Sequence, residues 1–228
     1  SDPSDVLGWF SWVHGAYRPT PTVIEAARAL YAQHDIREIA HSYSGGENLA
    51  QTTETVIKAI EEAKKNESKI ICFITGVPGA GKTLAGLNII HQSEKNYGAF
   101  LSGNHPLVSV LKEVLARDHN EKHGCRISES RHTVSTFIHH FIGEYFGDEK
   151  GNLSPPDRII VFDEAQRAWN KKQSNNKFNR PFSEPEIILN IMDRHSDWSV
   201  IVALVGGGQE INTGEAGIGE WGKAIVDN

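Results

Sequence analysis

The stretch that decides the fold is Gly76-Val77-Pro78-Gly79-Ala80-Gly81-Lys82-Thr83, which fits the phosphate-binding pattern G-x-x-x-x-G-K-[ST] at every fixed position. Residues 69–75 before it (KIICFIT) form an apolar run that predicts a buried parallel strand. Residues 84–90 after it (LAGLNII) predict a helix that leaves the loop. Strand, glycine loop and helix follow one another as a phosphate-binding site in an α/β domain requires.

The residue types of the loop explain how it would hold a nucleotide. Glycine adopts backbone conformations that other residues avoid, so successive N–H groups can point at the β- and γ-phosphates. We expect Lys82 to place its charge on the β/γ oxygens and the Thr83 hydroxyl to ligate Mg²⁺, with ATP and Mg²⁺ as cofactors. The flanking pattern makes a plain glycine turn with an exposed lysine the weaker interpretation. The predicted nucleotide-binding residues of this loop are Gly76, Val77, Pro78, Gly79, Ala80, Gly81, Lys82 and Thr83.

A second informative stretch, residues 158–164 (RIIVFDE), is an apolar run that ends in two acids. It predicts a buried central strand whose carboxyl end presents Asp163 and Glu164 at the edge where open α/β sheets bind ligands. Such an ending is common by itself, but after a phosphate loop it indicates a catalytic role. We expect Asp163 to hold Mg²⁺, through a water, and Glu164 to orient and deprotonate the attacking water.

Composition narrows the class of protein. The net charge of −6 excludes a chain that coats nucleic acid by overall charge, so any such contact has to be local. The two cysteines, Cys72 in a predicted core strand and Cys125 in a polar stretch, do not suggest a disulfide framework and fit a reducing cytoplasm. No apolar run is long enough to span a membrane, and no signal-like segment is present, so we expect a cytoplasmic protein without membrane contact.

Hydrophobic patterning along the rest of the chain predicts alternating strands and helices, and therefore an α/β fold with a mostly parallel sheet and helices on both faces. The further predicted strands are residues 98–102 and 198–205. The predicted helices have their buried positions within residues 56–63, 107–115, 134–145 and 187–191, and another begins near residue 221. Residues 170–182 predict a polar, basic loop, and residues 1–48 an aromatic arm with a helical extension.

Four motifs taken together resemble the bacterial Schlafen group 3-like DNA/RNA helicase domain family, formerly a domain of unknown function and related to superfamily 1 helicases. The motifs are residues 76–83, 102–107 (SGNHPL), 163–169 (DEAQRAW) and 206–212 (GGGQEIN). The resemblance covers roughly residues 51–226. It implies a RecA-like P-loop NTPase fold in which residues 49–228 form the first motor domain.

The resemblance also implies nucleotide-contacting residues outside the glycine loop. Gln51 stands where such helicases keep an adenine-reading glutamine, with a helix-capping role as the alternative. Gln209 matches the glutamine that senses the γ-phosphate, and it completes a catalytic set with Lys82 and Glu164. The usual Gly-Asp-x-x-Gln is replaced here by Gly-Gly-Gly-Gln, so the acid of that motif is missing.

Further motif positions imply contact with single-stranded DNA or RNA. The loop with Ser102, Gly103, Asn104 and Pro106 matches the strand-contacting motif that follows the second strand. Thr136 belongs to the next motif of that kind. The resemblance therefore implies a nucleic-acid partner for the protein.

These implications give an ATPase domain of a helicase-like protein or translocase acting on DNA or RNA. Motors of this superfamily use two RecA-like domains, with arginine fingers from the second, so we expect a second such domain in a longer parent chain and low activity for this part. A nucleotide-gated switch or interaction module without strand-moving activity is the first alternative. The second is a nucleoside kinase, although that family uses Gly-Lys-Ser and a cysteine zinc ribbon, which two cysteines cannot build.

Overall fold

A computed structural model describes residues 24–25, 29, 46–93, 98–113, 135–146, 153–207 and 217–227. The strands are β1 (Lys69–Gly76), β2 (Gly98–Ser102), β3 (Ser135–Phe137), β4 (Ile159–Asp163) and β5 (Ser199–Gly206). The helices are α1 (Gly46–Asn66), α2 (Lys82–Gln92), α3 (Ile138–Tyr145), α4 (Lys171–Phe178), α5 (Glu184–Asp193) and α6 (Gly217–Asp227). Residues 105–113 are also helical, as are residues 24, 25 and 29 of the predicted N-terminal extension.

The described strands form one parallel sheet in the order β1-β5-β4-β2-β3. Strand β5 therefore lies between β1, which leads into the glycine loop, and β4, which ends in the acids. The register pairs Gly76 with Gly206 and Ser102 with Asp163. Because the strands are parallel, the carboxyl ends of β1, β5, β4 and β2 meet at one edge of the sheet, which matches the predicted placement of the functional residues.

Side chains of the central strands alternate between two apolar layers. In β4, Ile159 and Val161 face a layer that includes α1 and α2, whereas Ile160 and Phe162 face a layer that includes α3, α5 and α6. A strand buried on both faces needs a continuous apolar run, which is what residues 159–162 supply. The α/β fold with helices on both faces is therefore confirmed.

Helix α2 lies very close to the sheet at Gly86. A β-carbon placed on Gly86 would come within 2.7 Å of Val161 Cγ1 and 2.9 Å of Leu204 Cδ1. The absence of a side chain at this position therefore lets the helix behind the glycine loop pack directly over β4 and β5. This contact fixes the start of α2, and with it the loop, against the strands that carry the acids.

Three predicted elements differ from the structure. The helix expected over residues 134–145 begins only at Ile138, because residues 135–137 pair with β2 as a short edge strand. The loop expected over residues 170–182 contains α4, whose start is capped by the Asn170 side chain, an acceptor for Gln173 N–H at 2.9 Å. The last helix begins at Gly217 rather than near residue 221.

The N-terminal side of the domain is represented by α1, which starts at Gly46 and packs on α2. Its buried residues Leu49, Val56 and Ile60 belong to the same apolar layer as α2. The boundary predicted at residues 48 and 49 thus falls inside α1. The aromatic residues of the predicted arm lie outside the described part of the chain, and the division into domains stays a prediction.

Candidate functional site

The glycine loop between β1 and α2 has the backbone geometry that its glycines predict. Gly79 and Gly81 have φ values of 79° and 82°, a region that side-chain-bearing residues rarely adopt. No side chain of the described residues caps the N-terminus of α2. The Lys82 ammonium donates hydrogen bonds to the carbonyl oxygens of Gly76, at 2.8 Å, and Val77, at 3.0 Å. Lysine, loop and helix N-terminus thus form one compact turn that can hold an anion.

Asp163 connects the glycine loop to the neighbouring strands. Its Oδ1 accepts a hydrogen bond from the Thr83 hydroxyl at 3.3 Å, and its Oδ2 accepts one from the Ser102 hydroxyl at 3.4 Å. Only 4% of Asp163 is exposed. Burial, and secondarily the negative charge of Glu164, raises the pKa of Asp163 to about 6, although the two hydroxyl donors act in the opposite direction. The glycine loop and the acidic end of β4 therefore contact each other, as expected.

Thr83 and Asp163 also meet the chemical requirements of a magnesium site. Mg²⁺ prefers hard oxygen ligands and is held in proteins by one or two carboxylates, together with waters and substrate phosphates. A hydroxyl and a carboxylate in mutual contact, beside a turn suited to phosphate, fit this preference. Among the described residues, no group of three or more His, Cys, Asp or Glu side chains forms an alternative metal site.

Glu164 follows β4 in a left-handed conformation, with φ 55° and ψ 47°. The amide of Gln166 donates a hydrogen bond to Glu164 Oε2, and Gln166 Oε1 accepts one from Gly206 N–H at 2.8 Å. A β-carbon on Gly206 would lie 2.9 Å from Gln166 Nε2, so a side chain there would push the Gln166 amide out of this position. The predicted catalytic acid is thus tied through Gln166 to the end of β5. Gln166 was missed in the sequence, where its place in DEAQ was the available signal.

Trp221 supports the turn that contains Gln166. Ala165–Arg167 form a 3₁₀ turn, and Trp221 Nε1 donates a hydrogen bond to Ala165 O at 2.9 Å. Trp221 is fully buried, and its ring packs edge-on against Phe162 with centroids 5.3 Å apart. Helix α6 therefore supports the backbone on which Glu164 stands. Hydrophobic patterning gave no indication of this role.

The predicted nucleic-acid loop lies beside the same edge of the sheet. Ser102 is buried, and its hydroxyl accepts a hydrogen bond from Asn104 N–H at 3.2 Å while it donates to Asp163. Gly103, Asn104 and Pro106 are exposed. Ser102 thus faces the site interior, and a strand passing over this loop would meet the three exposed residues. Thr136 lies in β3 opposite Leu101, at the far end of the sheet order.

The two remaining predicted nucleotide contacts differ in placement. Gln51 is exposed on α1 and lines a cavity of about 980 Å³ together with Val77, Pro78 and Lys82 of the glycine loop. This position is compatible with an adenine-reading role, which stays a prediction. Gln209 lies outside the described part of the chain, so its proposed γ-phosphate contact also stays a prediction.

A second cavity, of about 910 Å³, begins at the site and extends along the protein surface. Thr83, Asp163 and Glu164 line one part of it, and Trp169 and Lys177 line another. The exposed loop at Asn104 and Pro106 contributes a further wall. The catalytic acids expected from the sequence therefore share one concave space with the loop expected to contact nucleic acid and with α4.

The parallel sheet, the glycine loop after β1 and the acidic end of β4 define a RecA-like α/β protein with a P-loop. Comparison with protein families identifies the family within this class. The chain belongs to the Schlafen group 3, DNA/RNA helicase domain family, whose sequence profile matches residues 69–227. It is thus a helicase-like domain of a family connected with nucleic acids. A comparison with curated proteins gave no match, and no helix in the described ranges has the length and apolar character needed to cross a bilayer.

Proposed function

We propose that this chain is the ATP-binding and ATP-hydrolysing domain of a helicase-like protein that acts on DNA or RNA. The observation that carries the proposal is the 3.3 Å contact between Thr83 Oγ1 and Asp163 Oδ1, because it joins the phosphate loop to the acidic strand end. A structural glycine turn would need no such partner. Membership of a helicase-domain family supports the nucleic-acid part of the proposal.

Each residue of the site has a definite task in this proposal. The N–H groups of the loop 76–83 and the Lys82 ammonium bind the phosphates, while Thr83 and Asp163 hold Mg²⁺. When bound, the Mg²⁺–ATP pair supplies an activated phosphoryl group whose charge the metal partly neutralises. Glu164 orients the attacking water and accepts its proton, and Gln166 holds the Glu164 carboxylate in position.

Nucleotide binding and hydrolysis by three single variants test this assignment. Lys82→Ala should weaken binding of a fluorescent ATP analogue by about 10- to 100-fold, because a charged hydrogen-bond donor is lost. Glu164→Gln should bind ATP normally but hydrolyse it about 100-fold more slowly or worse, as expected when a general base is removed. Lys65→Ala, at an exposed lysine of α1, is the matched control and should change neither value. Normal turnover by Glu164→Gln would refute the role of Glu164.

Stimulation by single strands separates a motor domain from a nucleotide-gated switch. Single-stranded DNA or RNA should raise the rate of ATP hydrolysis if the domain belongs to a motor. Transfer of phosphate from ATP to a nucleoside, instead of to water, would identify a kinase. ATP binding without strand-dependent turnover would favour the switch.

A further inference from the structure

A basic and aromatic surface lies beside the proposed ATPase site, on the segment that follows the catalytic acids. Residues 165–182 contain five Lys and Arg residues and no Asp or Glu, which gives this segment a net charge of +5. The whole chain carries −6, so the rest of it carries −11. A positive segment on an acidic protein concentrates the attraction for a polyanion at one place.

Two of the three aromatic rings of this segment stack on each other. Trp169 and Phe178 stack with their centroids 5.6 Å apart and their planes at 20°. Phe178 and Phe182 are 42% and 41% exposed, so part of each ring is open to solvent. We refer to Trp169, Phe178 and Phe182, together with the cations that cover them, as the basic–aromatic platform.

Each ring of the platform carries a cation on its face. Lys177 Nζ lies 5.1 Å from the Trp169 centroid, Arg180 Cζ lies 4.7 Å from that of Phe178, and Lys171 Nζ lies 5.9 Å from that of Phe182. In the described part of the chain, neither Lys171 nor Lys177 forms an ion pair with an acid. These cations cover ring faces that a base would use, so a base can stack there only when a flexible Lys or Arg side chain moves from the ring onto a phosphate. Positive charge next to aromatic rings is a combination used to bind single-stranded nucleic acid.

The backbone beneath the platform is fixed, so the rings are held in place before a ligand arrives. Trp169 N–H donates to Glu184 Oε2 at 2.9 Å, and Trp169 O accepts from Glu184 N–H at 3.0 Å. Helix α4 is capped at its start by Asn170 and ends at Asn179, which has a left-handed φ of 53°. An ordered platform loses less conformational entropy on binding than a mobile loop would.

One end of the platform, at Trp169 and Lys177, lies in the cavity that reaches the proposed catalytic site. Trp169 and Lys177 line the same 910 Å³ cavity as Glu164 and the exposed residues Asn104 and Pro106. Between Glu164 and Trp169 the chain makes only the short 3₁₀ turn that Trp221 supports. A ligand on the platform would therefore contact the segment that positions the catalytic acid.

We propose that the basic–aromatic platform binds single-stranded nucleic acid, with its lysines on the phosphates and its rings against the bases. This inference rests on the proposed function and adds a binding surface that the helicase motifs do not include. The concave cavity favours a strand over a flat anionic membrane. An acidic peptide would use the same charges, but it would gain nothing from base stacking on Phe178.

Fluorescence anisotropy with labelled oligo(dT) and oligo(U), about 20 nucleotides long, tests the platform in the full 228-residue chain. The test variant K171Q/K172Q/K177Q removes the two platform lysines and Lys172, an exposed lysine next to Lys171 in α4. The control K58Q/K65Q/K223Q removes the same charge from exposed lysines of α1 and α6. If each of the three lysines removed from α4 contacts one phosphate, the slope of log K against log salt should fall by about 2, and affinity at 0.1 M salt by about 100-fold. The control should keep most of the affinity.

Two further measurements make the result decisive. Phe178→Leu should weaken oligonucleotide binding several-fold and leave binding of labelled poly-glutamate unchanged, because only bases stack on the ring. Equal affinities of the two triple variants, or poly-glutamate binding as tight as that of the oligonucleotides, would overturn the platform.

Binding of a fluorescent ATP analogue is measured in parallel. Intact ATP binding with no oligonucleotide binding would refute the platform alone, whereas absent ATP binding would refute the proposed function. The DNA and RNA arms show which strand is preferred.

Discussion

Asp163 should destabilise the free protein at neutral pH, and Asp163→Asn should therefore stabilise it. Burial raises the pKa of Asp163 to about 6 from a usual value of 3.8, so the folded chain binds this proton more tightly than the unfolded chain does. Stability that depends on this proton is lost as pH rises through the window between the two values, and the loss levels off above about pH 6. The full difference corresponds to about 3 kcal/mol at pH 8, and to about half of that at pH 5.

Urea unfolding at pH 5 and pH 8, without nucleotide or magnesium, measures this effect. Asparagine has nearly the same shape, and its amide group can keep contact with the hydroxyls of Thr83 and Ser102, which can turn to accept or donate. Glu61→Gln, at an exposed acid of α1, controls for the loss of a surface charge and should change stability by less than about 0.5 kcal/mol. Lower stability of Asp163→Asn at pH 8, or a stability difference independent of pH, would refute the reasoning.

The connection through Gln166 and the close packing at Gly86 give two further predictions. Gln166→Leu should lower kcat for ATP hydrolysis by about 10- to 100-fold, because Glu164 loses its positioning partner. The KM for ATP should stay near the original value. A change in KM alone, measured by steady-state kinetics, would contradict this prediction. Gly86→Ala should reduce the free energy of unfolding by about 1 to 3 kcal/mol, since the new methyl group meets Val161 and Leu204 at less than 3 Å; an unchanged urea midpoint would show that α2 can move away freely.

Local sequence signals were sufficient for most of the sheet. Residues 159–162 are apolar on both faces of the strand, and such a run has few alternatives to a central parallel strand. Ser183 and Glu186 are a local signal for the start of α5, and both hydrogen bonds of the capping box are present. In each case the information lies within a few neighbouring residues, so no distant contact was needed to interpret it.

Signals that depend on distant partners were misread or missed. Residues 135–137 continue the helical spacing of α3, but pairing with β2 makes them a strand, because edge hydrogen bonds outweigh a weak local preference. The composition of residues 170–182 is that of a loop, and only the caps at Asn170 and Asn179 and the stacking of Phe178 on Trp169 explain α4.

The sequence by itself determined the class of fold and the identity of the loop and strand end that make up the site, because glycine, lysine and carboxylate patterns carry their chemistry locally. Only the tertiary structure decided that β5 lies between β1 and β4, that Thr83 contacts Asp163, and that Gln166 ties Glu164 to β5. It also decided that three cations lie over three aromatic rings close to the acids. The physical reason is that strand order and side-chain contacts between remote segments arise from packing of the whole core, which no local pattern encodes.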